Sequence, residues 1–321
     1  MMYKFSPILK TLIWGGDRIA AFKGLATDRQ SIGESWELSG VEGDESVVAE
    51  GPYAGRTLPE LIGEFREELV GRQVYERFGT EFPLLVKFID ARADLSIQVH
   101  PNDALARMRH GKHGKTEMWY VVEADKGAHL KAGFAQPLTP EEYERHVNDN
   151  TIADVLCDYD VRPGDLFFLP AGRVHAICAG SFVAEIQQTS DVTYRIYDYG
   201  RVGQDGKPRE LHTALAKDAI DYTVLPDYRS HYAAAQNRET KLVACPYFTT
   251  SLYDLTQTVD KDLSTLDSFL IVMCLSGEGV LTDDEGSDTT LRQGETILVP
   301  ASARSIRFVP RTPMKLLTSH L

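Results

Sequence analysis

The chain has 321 residues, long enough to bury one large core or two modest ones without disulfide support. Its 47 acidic and 34 basic residues leave a formal charge of −13, a field that repels nucleic-acid backbones and anionic lipid surfaces. No apolar run approaches the roughly 20 residues that a membrane-crossing helix needs, and the opening Met1 to Pro7 lacks the pattern of a secretory signal, so a cytoplasmic address is expected.

Along the chain, short strands punctuated by glycine and proline dominate and helical stretches are few. Over residues 58–78 the apolar positions Leu61, Ile62, Phe65, Leu69, Val74 and Phe78 form a stripe amid Glu and Arg, which predicts one long helix. Apolar and β-branched runs predict strands over 82–89, 95–100, 118–123, 165–169 and 182–187. Shorter helices are expected over 103–110, 140–147 and 214–222. Residues 226–239 are polar, alanine-rich and aperiodic, and read as a linker. Beyond them, strands are expected over 269–274 and 296–299, and the acidic run 283–288 reads as a solvated hairpin loop, since it lacks the spacing of an EF-hand. Cys157, Cys178, Cys245 and Cys274 are far apart, form no CxxC pair, and read as buried small hydrophobes.

A weak internal repeat underlies this pattern. Gly164 is followed by Pro170, Gly172 and His175, and Gly294 at the same offsets by Pro300, Ser302 and Ser305. The residues between glycine and proline form a strand in each copy, which predicts two β units built on one template. The second copy lacks the histidine, so chemistry is expected in the first unit alone. The expected division is 1–235, a catalytic barrel with helical insertions, and 236–321, a second, degenerate barrel.

Three segments carry reactive side chains. In Gln98-Val99-His100, strand alternation turns the amide and the imidazole to one face. Lys115-Thr116-Glu117 puts a carboxylate at the start of the next strand, and the Pro170-Ala171-Gly172 turn returns the chain to His175. Together His100, Glu117 and His175 supply two imidazoles and a carboxylate, with the Gln98 amide oxygen as a fourth donor, a set that suits a divalent metal with an open position. Donors of this kind also serve non-haem iron, and any one of these residues alone is more often structural.

Gly-x5-Pro-x-Gly-x2-His resembles the second cupin motif, and Gln98-x-His100 followed by Glu117 resembles the first, with glutamine in place of its first histidine. Trp14-Gly15-Gly16, Gly33-Glu34-Ser35-Trp36-Glu37-Leu38-Ser39, the segment 82–88, Gln98-Val99-His100-Pro101, Lys115-Thr116-Glu117 and Ser190-Asp191-Val192-Thr193-Tyr194-Arg195 are closer still to the short bacterial type I mannose-6-phosphate isomerases. That resemblance implies a mainly β fold of two cupin-type jelly-roll barrels with helical insertions. It also implies one zinc ion per chain held by His100, Glu117, His175 and Gln98, and a catalytic arginine at Arg195. The implied substrate is a hexose 6-phosphate, turned over by a monomer or homodimer. An iron-dependent cupin oxygenase and a sugar-binding cupin without turnover are the rival readings.

Aldose–ketose isomerisation passes through an enediol, so it needs a stabiliser of developing negative charge and a group that moves a proton. Lys115, Asp191 and Glu185 are the candidates for the second task. Arg195, Lys115 and Asp191 are therefore the expected catalytic residues, and Arg195, Lys115 and Glu185 the expected substrate contacts. Asp191 is alternatively a bidentate partner of Arg195. Lys87, Arg92 and Arg201 are further cations available to a phosphate.

Overall fold

In a computed structural model, which describes residues 1–203 and 206–321, the chain is mainly β, with four antiparallel sheets in two pairs. The strand stretches predicted from the sequence are present, with boundaries shifted by at most two residues. Among the described residues no helix is long and apolar enough to cross a membrane.

The first pair of sheets carries the reactive segments. A seven-stranded sheet holds, among others, the strands Ile32–Leu38, Leu84–Asp90, Ser181–Gln188 and Glu117–Ala124 side by side. A five-stranded sheet holds Tyr194–Tyr197, Ile97–Val99, His175–Ile177, His129–Phe134 and Leu156–Asp160 in that order. Register then fixes which side chains stand in a row. Trp36 pairs with Lys87, Lys87 with Glu185, and Glu185 with Trp119 across four strands of the larger sheet. Arg195 pairs with Gln98 and Gln98 with His175 in the smaller one. Because neighbours in register point to the same face, each row is a continuous band of polar and aromatic groups. Ile97 and Val99, on the opposite face from Gln98, pack into an apolar cluster with Tyr194 and Ile196.

The second pair of sheets repeats the arrangement. Its turn between the strands Thr296–Val299 and Ser305–Pro310 occupies the place of the turn between Leu166–Leu169 and His175–Ile177. Gly164 and Gly294 begin the two copies in the same backbone conformation, with φ of 96° and 79°, a region that favours glycine. The boundary expected at residue 235 is crossed from the first residues of the chain. The strand Tyr3–Ser6 pairs with Thr296–Val299, Tyr3 opposite Leu298, and so lies in the second unit's larger sheet. Phe82 and Phe269 pack with ring centroids 4.6 Å apart, in a cluster that draws on both units.

Two expectations are corrected. The long helix over 58–78 is three short ones, Leu58–Phe65, Glu67–Val70 and Arg72–Phe78, interrupted at Arg66 (φ 47°) and Gly71 (φ 94°). The apolar stripe runs on across the breaks, so periodicity alone does not reveal them. At Gly71 a side chain would meet the Asp267 carbonyl oxygen at 2.4 Å, and the Asp267 carboxylate accepts from the N–H of Arg72 at 2.7 Å, capping the new helix from the other unit. The predicted linker is laced to the first unit. Arg229–Ser230 adds a short strand beside Leu166–Leu169, and the hydroxyls of Tyr228 and Tyr232 donate to the carbonyls of Phe134 (3.1 Å) and Gly164 (2.6 Å). Its tyrosines, rather than its composition, decide its structure.

Candidate functional site

The two bands meet between the sheets of the first unit, and the metal-type donors lie beneath them. His100 and His175 are both 1% exposed and Glu117 is fully buried. His100 Nδ1 lies 3.0 Å from the carbonyl oxygen of Val192, and His175 Nδ1 lies 2.8 Å from that of Arg173. A carbonyl only accepts, so each Nδ1 carries the hydrogen and each Nε2 presents its lone pair. Both lone pairs face the same carboxylate, with His175 Nε2 at 3.2 Å from Glu117 Oε1 and His100 Nε2 at 3.6 Å from Oε2. One donor atom from each residue lies within 4.8 Å of the other two. Burial holds the His100 imidazole well below its usual range and His175 down to about 3, so both stay neutral, the form that binds metal.

Glu117 supplies the test of fit. Its Oε1 is buried without a hydrogen-bond donor, and Oε2 has only the Lys115 ammonium, at 2.9 Å. Burial first, and the neighbouring Glu185 charge second, push its carboxyl up to about 7. A buried carboxylate with a single donor in reach that faces two imidazole lone pairs is matched by a divalent cation. Gln98 lies at the same place, its amide nitrogen 3.3 Å from His175 Nε2, and a half-turn of the amide presents its oxygen instead.

Above the donors opens a cleft of about 270 Å³, whose lining includes Trp14, Trp36, Lys87, Gln98, Lys115, Glu185, Asp191, Arg195 and Arg209. Its size suits a small metabolite. A larger depression of about 480 Å³ shares Ser190 and Asp191 with it but contains none of the metal-type donors. Lys115 bridges cleft and donors, with its ammonium 3.2 Å from His100 Nε2, 2.9 Å from Glu117 and 3.9 Å from Glu185. Lys87 is buried between Glu185 at 2.9 Å and Glu34 at 3.6 Å. Burial opposes its charge, but the two carboxylates outweigh it and hold the ammonium above the usual lysine range. Glu185 shows the reciprocal effect. Burial works against its ionisation, but Lys87 and Lys115 keep it below the ordinary carboxyl range, and it also accepts from the Trp119 indole at 2.6 Å.

Asp191 and Arg195 both reach the cleft, but they are not partners. Asp191 pairs with Lys112 at 2.6 Å, near the surface. Arg195 donates from Nη1 to the Glu210 carbonyl at 3.0 Å, its Nε is buried with no partner, and among the described residues no carboxylate lies within ion-pair distance of it. Asp198 is held instead by Arg201 and Arg209. Of the further cations read from the sequence, Lys87 enters the cleft, Arg201 donates to the Asp94 carbonyl, and Arg92 sits near Asp17 at the surface. Arg209 escapes sequence reasoning, because nothing near it in the chain marks it. Glu34 lies in the Gly33-Glu34-Ser35-Trp36 segment, and its cleft position follows from the register of Trp36 on Lys87.

Comparison with known proteins agrees with this geometry. Residues 2–130 match the family model for the catalytic domain of type I phosphomannose isomerase, and residues 238–320 match that for the cupin domain of mannose-6-phosphate isomerase. The chain is 36% identical to mannose-6-phosphate isomerase ManA of Bacillus subtilis over 92% of both chains. It is 34% identical to the mannose-6-phosphate isomerase of Streptococcus mutans, over 92% of this chain and 91% of that one. Its fold superposes on the crystal structure of a Bacillus subtilis mannose 6-phosphate isomerase with a TM-score of 0.89 and 32% identity, covering 100% of this chain and 99% of that one.

Proposed function

The chain belongs to the type I mannose-6-phosphate isomerases, and from that premise we propose that its cleft interconverts mannose 6-phosphate and fructose 6-phosphate through an enediol, with zinc held by His100, Glu117, His175 and Gln98. The observation that carries this reading is the pair of imidazole lone pairs facing one donor-poor carboxylate at the foot of a cleft that also contains Lys115 and Arg195. When bound, the ion supplies Lewis-acid stabilisation of the oxygen on which negative charge develops.

This chain's own residues then have separable tasks. Conversion of the aldose removes the proton on C2 and returns one to C1, while the hydroxyl proton passes from O2 to O1. Lys115 is the group placed to carry the carbon-bound proton, taken up on the Nζ lone pair, since that atom touches both the ligand shell and the cleft. Glu185, kept ionised by Lys87, orients Lys115 and the substrate hydroxyls rather than taking the proton. Arg195 offers an unpartnered Nε to the enediolate or to the phosphate. Arg209 adds positive charge at the same cleft, and Asp191 closes its rim through Lys112. Trp14 and Trp36 wall the opposite side.

The chemistry is assigned to the unit of residues 1–235. Residues 236–321 form a second barrel, which carries Ser305 where the first has His175. A phosphorylated hexose is retained inside cells, so the reading places the enzyme in the cytoplasm, as a monomer or homodimer. The test is a coupled assay with mannose 6-phosphate before and after chelation, with zinc added back. Turnover that is lost and then restored supports the reading. Activity indifferent to chelation removes the metal from the mechanism, and binding of hexose phosphate without conversion would make the protein a sugar-binding cupin.

A further inference from the structure

A second group of unlike donors lies outside the cleft. The carboxylate of Asp94, the imidazole of His129 and the thiol of Cys178 each place a donor atom within 4.8 Å of the other two. The backbone around them is tied by three hydrogen bonds: Leu95 N–H to the Ile177 carbonyl at 2.8 Å, Cys178 N–H to the His129 carbonyl at 3.3 Å, and Ala179 N–H to Asp94 Oδ1 at 2.8 Å. The donors are therefore held by ordered backbone rather than by mobile loops.

Ordinary packing explains only part of this group, since Cys178 itself belongs to the apolar cluster around Ile97 and Val99. The Cys178 sulfur is buried, and its hydrogen bond to the Ala176 carbonyl, at 4.0 Å, is a weak one. Apolar burial accounts for a thiol among hydrocarbon, not for one beside a carboxylate and an imidazole. The Tyr199 hydroxyl is also buried without a hydrogen-bond partner, in electrostatic range of Cys178 and Asp94, on a residue whose backbone takes the left-handed conformation (φ 56°). Asp158 adds another oxygen, 3.9 Å from His129 Nε2, although it also pairs with Lys131 at 2.8 Å.

We propose that Asp94, His129 and Cys178 form a second metal site, specific for a thiophilic divalent cation of the zinc class and independent of the cleft. One thiolate, one imidazole and one carboxylate are a zinc-type set, with the fourth position left to water, Asp158 or Tyr199. With Zn–S about 2.3 Å and Zn–N about 2.0 Å, tetrahedral donors lie roughly 3.5 Å apart, so the group, already within 4.8 Å, has little more than an ångström to close at most on binding. Coordination breaks the S–H bond, the proton passes to solvent, and the sulfur lone pair goes to the metal. The site grips the chain just before Ile97–Val99 and just after His175–Ile177, the strands that position Gln98, His100 and His175. It therefore acts as a clamp on the frame of the cleft rather than as a participant in the reaction. A second bound ion departs from the one zinc per chain expected from the sequence, at a place that uses neither barrel's Pro-x-Gly turn.

Sulfur makes the test specific. The cleft donors include no thiol, so a thiolate-to-cobalt charge-transfer band in the near ultraviolet reports on this site and not on the cleft. Metal-stripped full-length protein titrated with cobalt(II) is expected to develop that band, to saturate at one thiolate-bound ion per chain, and to lose the band when zinc is added. The band is expected to persist in His100→Ala and in Cys157→Ser, to vanish in Cys178→Ser, and to need at least tenfold more cobalt in His129→Ala, a partly exposed position whose variant is checked for folding by its thermal midpoint. Absence of the band at millimolar cobalt overturns the proposal. So does a band that survives Cys178→Ser, or one unchanged in folded His129→Ala.

Discussion

Replacing Arg195 by lysine separates chemistry from architecture, because the structure gives this side chain little to do for the fold. Among the described residues its guanidinium makes one hydrogen bond, from Nη1 to the Glu210 carbonyl, and its Nε is buried unpartnered. Losing one charged hydrogen bond at a half-buried site costs about 1.5 kcal/mol of stability. A preorganised donor to a developing oxyanion is worth far more to the reaction, roughly 10²- to 10³-fold in rate, or about 2.7–4 kcal/mol, and an ammonium cannot reproduce the planar fork. Arg195→Lys is therefore expected to fold with a slightly lowered melting midpoint while kcat falls by two to three orders of magnitude, on the order of the loss of one such donor. Steady-state kinetics with mannose 6-phosphate, alongside thermal unfolding, decides the matter. A raised KM with kcat spared would make Arg195 a phosphate anchor. A fully active variant, or one that merely melts earlier, would refute the reasoning.

Further expectations concern the groups around it. His100→Ala and His175→Ala should each abolish turnover and lose one equivalent of metal by elemental analysis, and Glu117→Gln should lose activity while keeping its fold; a His175→Ala protein with full metal and full activity would show that the donors are misassigned. Lys87→Met strips the buried Glu185 of its nearest cation, at a cost of about 3–5 kcal/mol, and adding Glu185→Gln should recover part of that loss, so strictly additive denaturation energies would argue against the pair. Asp198 carries a pH signature: burial opposes its charge, but Arg209 and Arg201 hold its carboxyl below the ordinary range. Its ion pairs therefore stabilise fully above the unfolded value of about 3.9, and that stability is lost as pH falls through the lower folded value. Asp198→Asn should cost about 1–3 kcal/mol near neutrality, a gap that narrows below about pH 4 in denaturant titrations; a gap independent of pH would place its origin elsewhere.

How much of this was legible in the sequence depended on whether a feature was local. The turn that returns the chain to His175, and the alternation that turns Gln98 and His100 to one side, are decided within a few residues, and the strands carrying them lie where the pattern puts them. Pairings across the cleft are decided by register between strands far apart in sequence. Asp191 and Arg195 sit four residues apart and suggest a pair, but the chain between them carries Asp191 to Lys112 instead. Arg209 enters the cleft because Asp198 holds it, a contact that no periodicity announces. The cysteines read as buried small hydrophobes, which holds for Cys178 and Cys274 but not for the half-buried Cys157 and Cys245; sequence spacing shows only neighbours along the chain, whereas Cys178 finds His129 and Asp94 across the sheet. The broken helix is a miss of another kind. Gly71 was visible, but the apolar stripe concealed it, and the reason for the break, Asp267, lies in the other unit.

The pairing of Tyr3–Ser6 with Thr296–Val299 has a consequence for how the protein is made. On the ribosome, the first strand emerges almost the whole length of the chain before Thr296–Val299 and has only the short strand Val47–Val48 to pair with in the meantime, while the barrel that bears the cleft already has its own strands to hand. Closing so long a loop is slow, because the entropy of the intervening chain is lost before the contact rewards it. Assembly of the second sheet is then the late step of folding. A fragment lacking the opening strand would leave Thr296–Val299 with a bare edge, a template on which a second molecule can add a strand of its own.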